Sequence, residues 1–156
     1  MKDIPNIFEC EKCTGVYIGE KLIGIEVNDT QDKLYSVAID IGTTTVVCSL
    51  IDAKNKCEIS SESEINPQKE YGLDVLSRIH FIKNKENGLE TLHKLIINCI
   101  NDLIKKLCIK NSINKSNIYE VSIAANTTMM HVLLNINPMS IGKSPYSPTF
   151  VKSKNI

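Results

Sequence analysis

The feature that most constrains this fold is a long amphipathic pattern in the middle of the chain. Residues 89–108 read LETLHKLIINCINDLIKKLC, with apolar side chains at helical spacing and charged or amide side chains on the opposite face. The apolar stripe consists of Leu92, Leu95, Ile96, Cys99, Ile100, Leu103, Ile104, Leu107 and Cys108. Because so long an apolar face must be covered by another element, the pattern predicts a long helix packed on a sheet.

Four segments have the length and the β-branched composition of strands. Residues 34–41 (LYSVAIDI) and 43–52 (TTTVVCSLID) flank Gly42, residues 56–65 (KCEISSESEI) alternate like a more exposed strand, and residues 118–125 (IYEVSIAA) resemble a buried strand. Three consecutive strands followed by helices around a fourth strand predict an α/β fold. Its mixed sheet starts with a three-stranded meander and is covered by helices.

Two shorter helices are predicted on either side of that fourth strand. Residues 73–82 (LDVLSRIHFI) and 127–134 (TTMMHVLL) have helical periodicity. The apolar face of the first helix is expected to hold Leu73, Leu76 and Ile79. Thr127 or Thr128 is expected to cap the second helix, and Pro138 is expected to close it.

The amino-terminal part differs in character from the rest of the chain. Residues 1–33 are polar and divided by glycines, and we interpret them as an extension or linker containing a small hairpin within residues 15–27. Residues 34–150 form the predicted domain, and residues 151–156 form a tail.

Charge and cysteine content narrow the possible functions. The 18 basic and 18 acidic residues give a formal net charge of zero, which is atypical of nucleic-acid-binding proteins and of polybasic membrane anchors. No apolar run has the length of a membrane span or the form of a signal peptide, so we expect a cytoplasmic protein. Four of the six cysteines lie within apolar patterns and are expected to be buried free thiols: Cys48, Cys57, Cys99 and Cys108.

The turn between the first two predicted strands has the chemistry of a phosphate site. Backbone N–H groups at a tight turn can form an anion-binding concavity, and the hydroxyls of Thr43, Thr44 and Thr45 add donors. Asp40, two residues before Gly42, could hold a hydrated magnesium ion, because Mg²⁺ binds one or two carboxylates together with phosphates and water. The simpler alternative is a hairpin turn in which Asp40 only accepts hydrogen bonds from nearby amides.

A family resemblance favours the phosphate site. The segment AIDIGTTTV, residues 38–46, resembles the first phosphate motif of the actin, sugar-kinase and heat-shock-chaperone superfamily. INPQKEYGLDVLSRI, residues 65–79, and VSIAANTTMMHVLLNINPMSIGKSPYSPTF, residues 121–150, resemble the reductive activators of corrinoid proteins. The resemblance implies a ribonuclease-H-like (actin-like ATPase) half. It also implies a role as the first ATP-binding subdomain of an enzyme that couples ATP hydrolysis to reduction of a corrinoid cobalt centre.

The resemblance also implies roles for individual residues. Asp40 would lie near Mg²⁺, and Gly42, Thr43 and Thr44, with Thr45 beside them, would line the phosphates of ATP. Asn126, Thr127 and Thr128 resemble the strand-end loop that faces the cleft. It implies no role for Asn66, Gln68, Asp74 or Arg78, and an Asp74–Arg78 pair four residues apart fits a plain helix contact equally well.

Several features depart from the family pattern. Cys10 and Cys13 form a lone C-x-x-C, and since an iron–sulfur cluster needs four ligands, no [2Fe–2S] cluster is expected in this chain. No second acid-x-Gly turn follows residue 52, so the ATPase is expected to be incomplete and to be completed by a second polypeptide. Ala125 stands where the family more often has glycine, which would strain a backbone of positive φ.

Two other functions stay open. A non-catalytic interaction module would retain the fold and dock a partner polypeptide through its uncovered surface. A fragment of a small-molecule kinase of the same superfamily would need a substrate-holding cluster, which the sequence does not show. The three histidines, His80, His93 and His131, are expected to be surface or core side chains.

Overall fold

A computed structural model describes residues 11–150 of the chain. Its strands are β1 (Cys13–Ile18), β2 (Lys21–Val27), β3 (Tyr35–Ile41), β4 (Thr45–Asp52), β5 (Cys57–Ile65) and β6 (Ile118–Ala125). Its α-helices are α1 (Val75–Asn84), α2 (Gly88–Lys110) and α3 (Thr127–Leu133). Short 3-10 helices at Pro67–Tyr71 and Lys115–Asn117 join these elements.

The main sheet has the order β5-β4-β3-β6. Strands β3, β4 and β5 form an antiparallel meander, and β6 pairs in parallel with β3 on its other side. This mixed sheet with helices confirms the predicted α/β fold. The predicted small hairpin is also present, because β1 and β2 pair as a separate antiparallel ribbon.

The sheet has an inner face that packs on α2 and an outer face that does not. Alternate residues of β3 and β4 are buried against the helix: Val37, Ile39, Ile41, Val46, Cys48 and Leu50. The apolar stripe of α2 is buried as predicted, except that Leu95 is only partly buried. Since side chains alternate along a strand, Ala38 and Asp40 lie on the outer face, where both are exposed.

Strand β6 is not the buried strand that its composition predicts. It forms the edge of the sheet, and Val121 is 47% exposed. Ile123 and Ala125 pack on the core only partly. The physical reason is that, within residues 11–150, no strand pairs with the outer side of β6.

The prediction for the apolar face of α1 is confirmed for Ile79 and was wrong for Leu73 and Leu76. Leu73 and Leu76 are 71% and 65% exposed, and the buried side chains are Arg78, Ile79 and Ile82. The helix begins at Val75 because Asp74 and Ser77 form a reciprocal capping box, in which each side chain accepts a hydrogen bond from the other residue's backbone amide. Because Arg78 is buried, the side of α1 that carries Arg78 faces inward.

The predicted ends of α3 also need correction. Asn126 caps the helix, rather than Thr127 or Thr128, because its side chain accepts a hydrogen bond from the Met129 amide. The helix ends at Leu133, well before Pro138. Asn135 follows in the left-handed region at φ 55°, a conformation that ends a helix.

Three of the four cysteines expected to be buried are buried. Cys48, Cys99 and Cys108 are free thiols in the core, whereas Cys57 is exposed where β5 begins. Burial, together with the neighbouring Cys108 and Cys99, raises the pKa of Cys48 to about 11. These core thiols are therefore protonated at neutral pH and poor nucleophiles.

Candidate phosphate-binding edge

The topology brings the two predicted site segments to one edge of the sheet. Strands β3 and β6 run in parallel, and their last residues, Ile41 and Ala125, are paired. The next residues, Gly42 and Asn126, therefore leave the sheet side by side. Ala125 is an ordinary strand residue without positive φ, so it introduces no strain in this loop.

Gly42 begins a tight turn, which we call the Gly42 turn (residues 42–44). The Gly42 amide donates to the carbonyl oxygen of Thr45 at 2.9 Å. A Cβ atom on residue 42 would lie 2.8 Å from that same oxygen. Glycine is needed here because of this close backbone approach, and its φ is not in the left-handed region.

Each carbonyl group of the Gly42 turn is held from the protein side. The Asn66 side-chain amide donates to the Gly42 carbonyl at 2.7 Å, and the Asn66 backbone amide donates to the Thr44 carbonyl at 2.8 Å. The Arg78 guanidinium donates to the Thr43 carbonyl between them. Asn66 and Arg78 are both 0% exposed.

This arrangement decides where the N–H groups of the turn point. In a trans peptide the N–H lies opposite to the C=O of the preceding residue. Since the carbonyls of Gly42 and Thr43 point towards Asn66 and Arg78, the N–H groups of Thr43 and Thr44 point away from them. Neither N–H donates a hydrogen bond within residues 11–150, so the turn offers two adjacent free donors of the kind that bind anions.

Asp40 lies beside the turn on the outer face of the sheet. It is exposed and pairs with Val47 of β4. Thr45, two residues before Val47, is also exposed and shares this face. One exposed carboxylate next to free amides and hydroxyls fits a hydrated Mg²⁺ that also binds phosphate oxygens.

The second predicted segment is only partly available to a ligand. Asn126 and Thr127 are exposed, but Thr128 is 2% exposed. The Asn126 side-chain oxygen accepts from the Met129 amide at 2.9 Å. Asn126 and Thr127 can therefore face a ligand at this edge, whereas the Thr128 side chain belongs to the core.

Arg78, which makes more hydrogen bonds than the predicted site residues do, was not among those residues. Arg78 donates to the Gly72 carbonyl at 3.0 Å and to the side-chain oxygen of Gln68 at 3.0 Å, and it contacts the Met129 sulfur at 3.0 Å. Burial lowers the pKa of Arg78 and the Asp74 carboxylate raises it, but an arginine stays charged at neutral pH. Arg78 is therefore a buried cation surrounded by neutral acceptors.

The plain helix contact between Asp74 and Arg78 is present in the backbone, where the Arg78 amide donates to the Asp74 carbonyl at 3.2 Å, but the two side chains have separate partners. Asp74 caps α1, and no ion pair joins it to Arg78 in residues 11–150. Gly72 makes room for the arginine, because a Cβ there would lie 2.7 Å from the Arg78 amide nitrogen. One signal was present in the sequence: Arg78 directly precedes Ile79 and stands four residues before Ile82 in the buried stripe.

The histidines differ in their environments. His131 is fully buried, and since the Thr149 amide donates to its Nε2 at 3.1 Å, its Nδ1 carries the proton and donates to the Thr127 carbonyl at 2.7 Å. The Phe150 ring stacks on it at 4.5 Å. His131 therefore holds the end of the described chain against α3, while His93 is half-buried and His80 is exposed.

Comparison with known proteins identifies the family. The family model described as RACo middle region matches residues 35–156. The chain belongs to this family. The corrinoid activation enzyme RamQ of Eubacterium limosum is 32% identical over 137 residues, covering 87% of this chain and 23% of the relative. A solved structure, a reductive activator for corrinoid, iron-sulfur protein, superimposes with a TM-score of 0.78 at 36% identity, covering 83% of this chain and 20% of that one.

The RACo middle region match confirms the predicted resemblance to reductive activators of corrinoid proteins. It also agrees with the predicted ribonuclease-H-like, actin-like arrangement of the sheet. The chain spans about a fifth to a quarter of the relatives that it matches. Within residues 11–150, no helix is both long and apolar enough to cross a membrane.

Proposed function

We propose that this chain forms the first half of the ATP and Mg²⁺ site of a cytoplasmic reductive activator that acts on a corrinoid protein. The observation that carries the proposal is the Gly42 turn, whose carbonyls are held from behind so that the amides of Thr43 and Thr44 are free. Asp40 would hold hydrated Mg²⁺ beside them. Asn126 and Thr127 would approach the same phosphates from the end of β6.

These residues would position the phosphates and the Mg²⁺ ion. The free amides and threonine hydroxyls would bind phosphate oxygens, and Asp40 would orient Mg²⁺ through its carboxylate. In the proposed activator, ATP hydrolysis would drive a conformational change that permits electron transfer to cobalt. A second polypeptide or region would supply the adenosine contacts, so we expect the chain alone to bind phosphate weakly.

The test is an amide NMR titration of the purified chain with magnesium pyrophosphate and with Mg-ATP. This method detects millimolar dissociation constants, and it reports on Thr43 and Thr44 individually. We expect their amide signals, and those of Asn126 and Thr127, to shift in a saturable way. Pyrophosphate should suffice, because the proposed contacts are all to phosphate and metal.

A matched pair of variants makes this test specific. Asp40→Asn removes the proposed metal ligand, and Asp102→Asn removes an equally exposed carboxylate on α2. We expect Asp40→Asn to weaken magnesium-dependent binding about tenfold, the loss of one charged contact, while Asp102→Asn binds like the wild type. No shift at Thr43 and Thr44, or equal binding by both variants, would overturn the proposal.

A non-catalytic docking role is the second candidate, and the open edge of β6 favours it. Within residues 11–150 nothing pairs with the outer side of this strand, and Val121 is 47% exposed. A second polypeptide could add a strand there. Co-expression with the part of RamQ outside the matched region tests this: stable co-purification with protected β6 amides would support it, and separate elution would contradict it.

A further inference from the structure

We propose that Arg78 is a positioning residue that holds the two phosphate-facing loops in register and places a buried positive charge behind the bound anion. This inference rests on the proposed function of the Gly42 turn. Arg78 does not touch the proposed ligand, since it lies on the protein side of the turn and is 0% exposed. Its effect would pass through the peptide group that joins Thr43 to Thr44.

Arg78 fixes the orientation of the peptide group between Thr43 and Thr44. Arg78 donates to the Thr43 carbonyl, so the Thr44 N–H of the same trans peptide points away from the guanidinium and towards the solvent. If this peptide flipped, the Thr44 N–H would face the guanidinium, and two donors would oppose each other. Arg78 therefore selects the one orientation of this peptide that leaves Thr44 free to bind an anion.

Arg78 also connects the Gly42 turn to the loop at Asn126. The same guanidinium contacts the Met129 sulfur at 3.0 Å, and the Met129 amide donates to the Asn126 side chain at 2.9 Å. Arg78 thus contacts both the Gly42 turn and the first turn of α3. The remaining donors go to Gly72 and Gln68, and Gln68 in turn donates to the Leu92 carbonyl of α2 at 2.9 Å.

Arg78 also places a buried positive charge behind the turn. Arg78 has no carboxylate partner in an ion pair within the described chain, and its acceptors are carbonyl, amide and thioether groups. The exposed Asp74 carboxylate offsets part of this charge without forming an ion pair, and the low-dielectric surroundings screen the remaining field weakly. The free amides of Thr43 and Thr44 lie on the other side of the peptide that Arg78 contacts, so the charge favours an anion such as phosphate there.

The test compares Arg78→Lys, Arg78→Gln and a core control, Ile104→Val, in the NMR titration with magnesium pyrophosphate. Lysine keeps the charge, but its single nitrogen lacks the planar fork of three nitrogens with which Arg78 reaches separate acceptors. We expect about tenfold weaker binding for Arg78→Lys and a larger loss for Arg78→Gln. Ile104→Val leaves a methyl-sized cavity in the core between α2 and the sheet, so this variant should lose stability but bind like the wild type.

Ligand-free spectra separate this inference from the proposed function. We expect the Thr43, Thr44 and Asn126 amide signals of Arg78→Gln to shift and broaden before any ligand is added, at a temperature where the variant is folded. If those signals are unchanged, Arg78 does not position the loops. If the wild type fails to bind pyrophosphate, the proposed function fails, whereas normal binding by a folded Arg78→Gln overturns only the role of Arg78.

Discussion

Two sets of polar side chains join neighbouring elements of this molecule, and they differ in their exposure to solvent. Behind the Gly42 turn, Asn66, Gln68 and Arg78 make hydrogen bonds at 1% exposure or less. Between β5 and α2, two ion pairs, Glu62–Lys110 and Glu64–Lys106, join partly or largely exposed side chains. The first set contains one charge and the second set contains four.

Burial, and not the number of charges, decides how much free energy is lost when such a contact is broken. A buried acceptor that loses its donor cannot turn to water, so the whole desolvation cost appears. An exposed ion pair that is broken is simply hydrated. The buried set also shapes the candidate site, whereas the exposed set covers the polar edge of the core where Ser60, Glu62 and Glu64 replace apolar residues on the inner face.

The sharpest test of this contrast is Arg78→Met beside Lys106→Met. We expect Arg78→Met to lower the free energy of unfolding by about 3 kcal/mol or more, because the Thr43 and Gly72 carbonyls and Gln68 all lose a buried donor. Lys106→Met should leave the urea midpoint nearly unchanged. Urea unfolding followed by circular dichroism measures both, and equal losses would refute the contrast.

Gly42→Ala tests whether the Gly42 turn needs the close backbone approach at residue 42. The added Cβ would lie 2.8 Å from the Thr45 carbonyl oxygen, so the turn must shift, at a cost of about 1–3 kcal/mol. Gly24→Ala in β2 is the control, because nothing lies within 4 Å of its added Cβ. Thermal unfolding compares them, and a Gly42→Ala variant as stable as Gly24→Ala would show that the turn adapts without cost.

Much of the fold could be predicted from the sequence because it depends on periodicity. The stripe of α2 and the alternation of β3 and β4 are local patterns that one buried face enforces. The position of β6 at a sheet edge could not be predicted, since its composition matches a buried strand and exposure depends on what lies beside it. Leu73 and Leu76 misled for the same reason, because apolar spacing on a short helix does not fix which face turns inward.

The candidate site divides in the same way. Asp40, Gly42 and the threonines are recognisable because they are contiguous and the chemistry of phosphate binding needs them close together. Asn66 and Arg78 act on the turn from 24 and 35 residues away, by contacts that only the folded chain creates. A mid-helix arginine gives no sign of its acceptors, so its role needed the structure.

Asn126→Ala should have a smaller effect than either variant of the turn. The Asn126 side chain caps α3 through one hydrogen bond to the Met129 amide, and losing an N-cap costs about 1 kcal/mol. Asn126→Ser, which can still cap, should recover most of that loss. Chemical denaturation measures both variants, and a loss in Asn126→Ser equal to that in Asn126→Ala would mean that the side chain acts through something other than the cap.

The smallest expected effect is the pH dependence of the exposed ion pairs. The Lys110 ammonium, through a hydrogen bond and its charge, holds the pKa of Glu62 below the ordinary 4.5. A carboxyl whose folded-state pKa is depressed stabilises the fold above its unfolded value, and this contribution is lost as pH falls through the folded-state pKa.

As the pH is lowered from 5, the free energy of unfolding of Glu62→Gln should therefore fall slightly less than that of the wild type. Urea midpoints at each pH measure this difference. Glu58→Gln, on the same strand and without an ion pair in residues 11–150, should follow the wild-type curve. High salt should remove the difference, because an exposed pair is screened whereas the buried Arg78 contacts are not. Coincident acid curves for Glu62→Gln and the wild type would mean that the pair is not formed in solution, and a steeper transition in Glu62→Gln would reverse the expected sign.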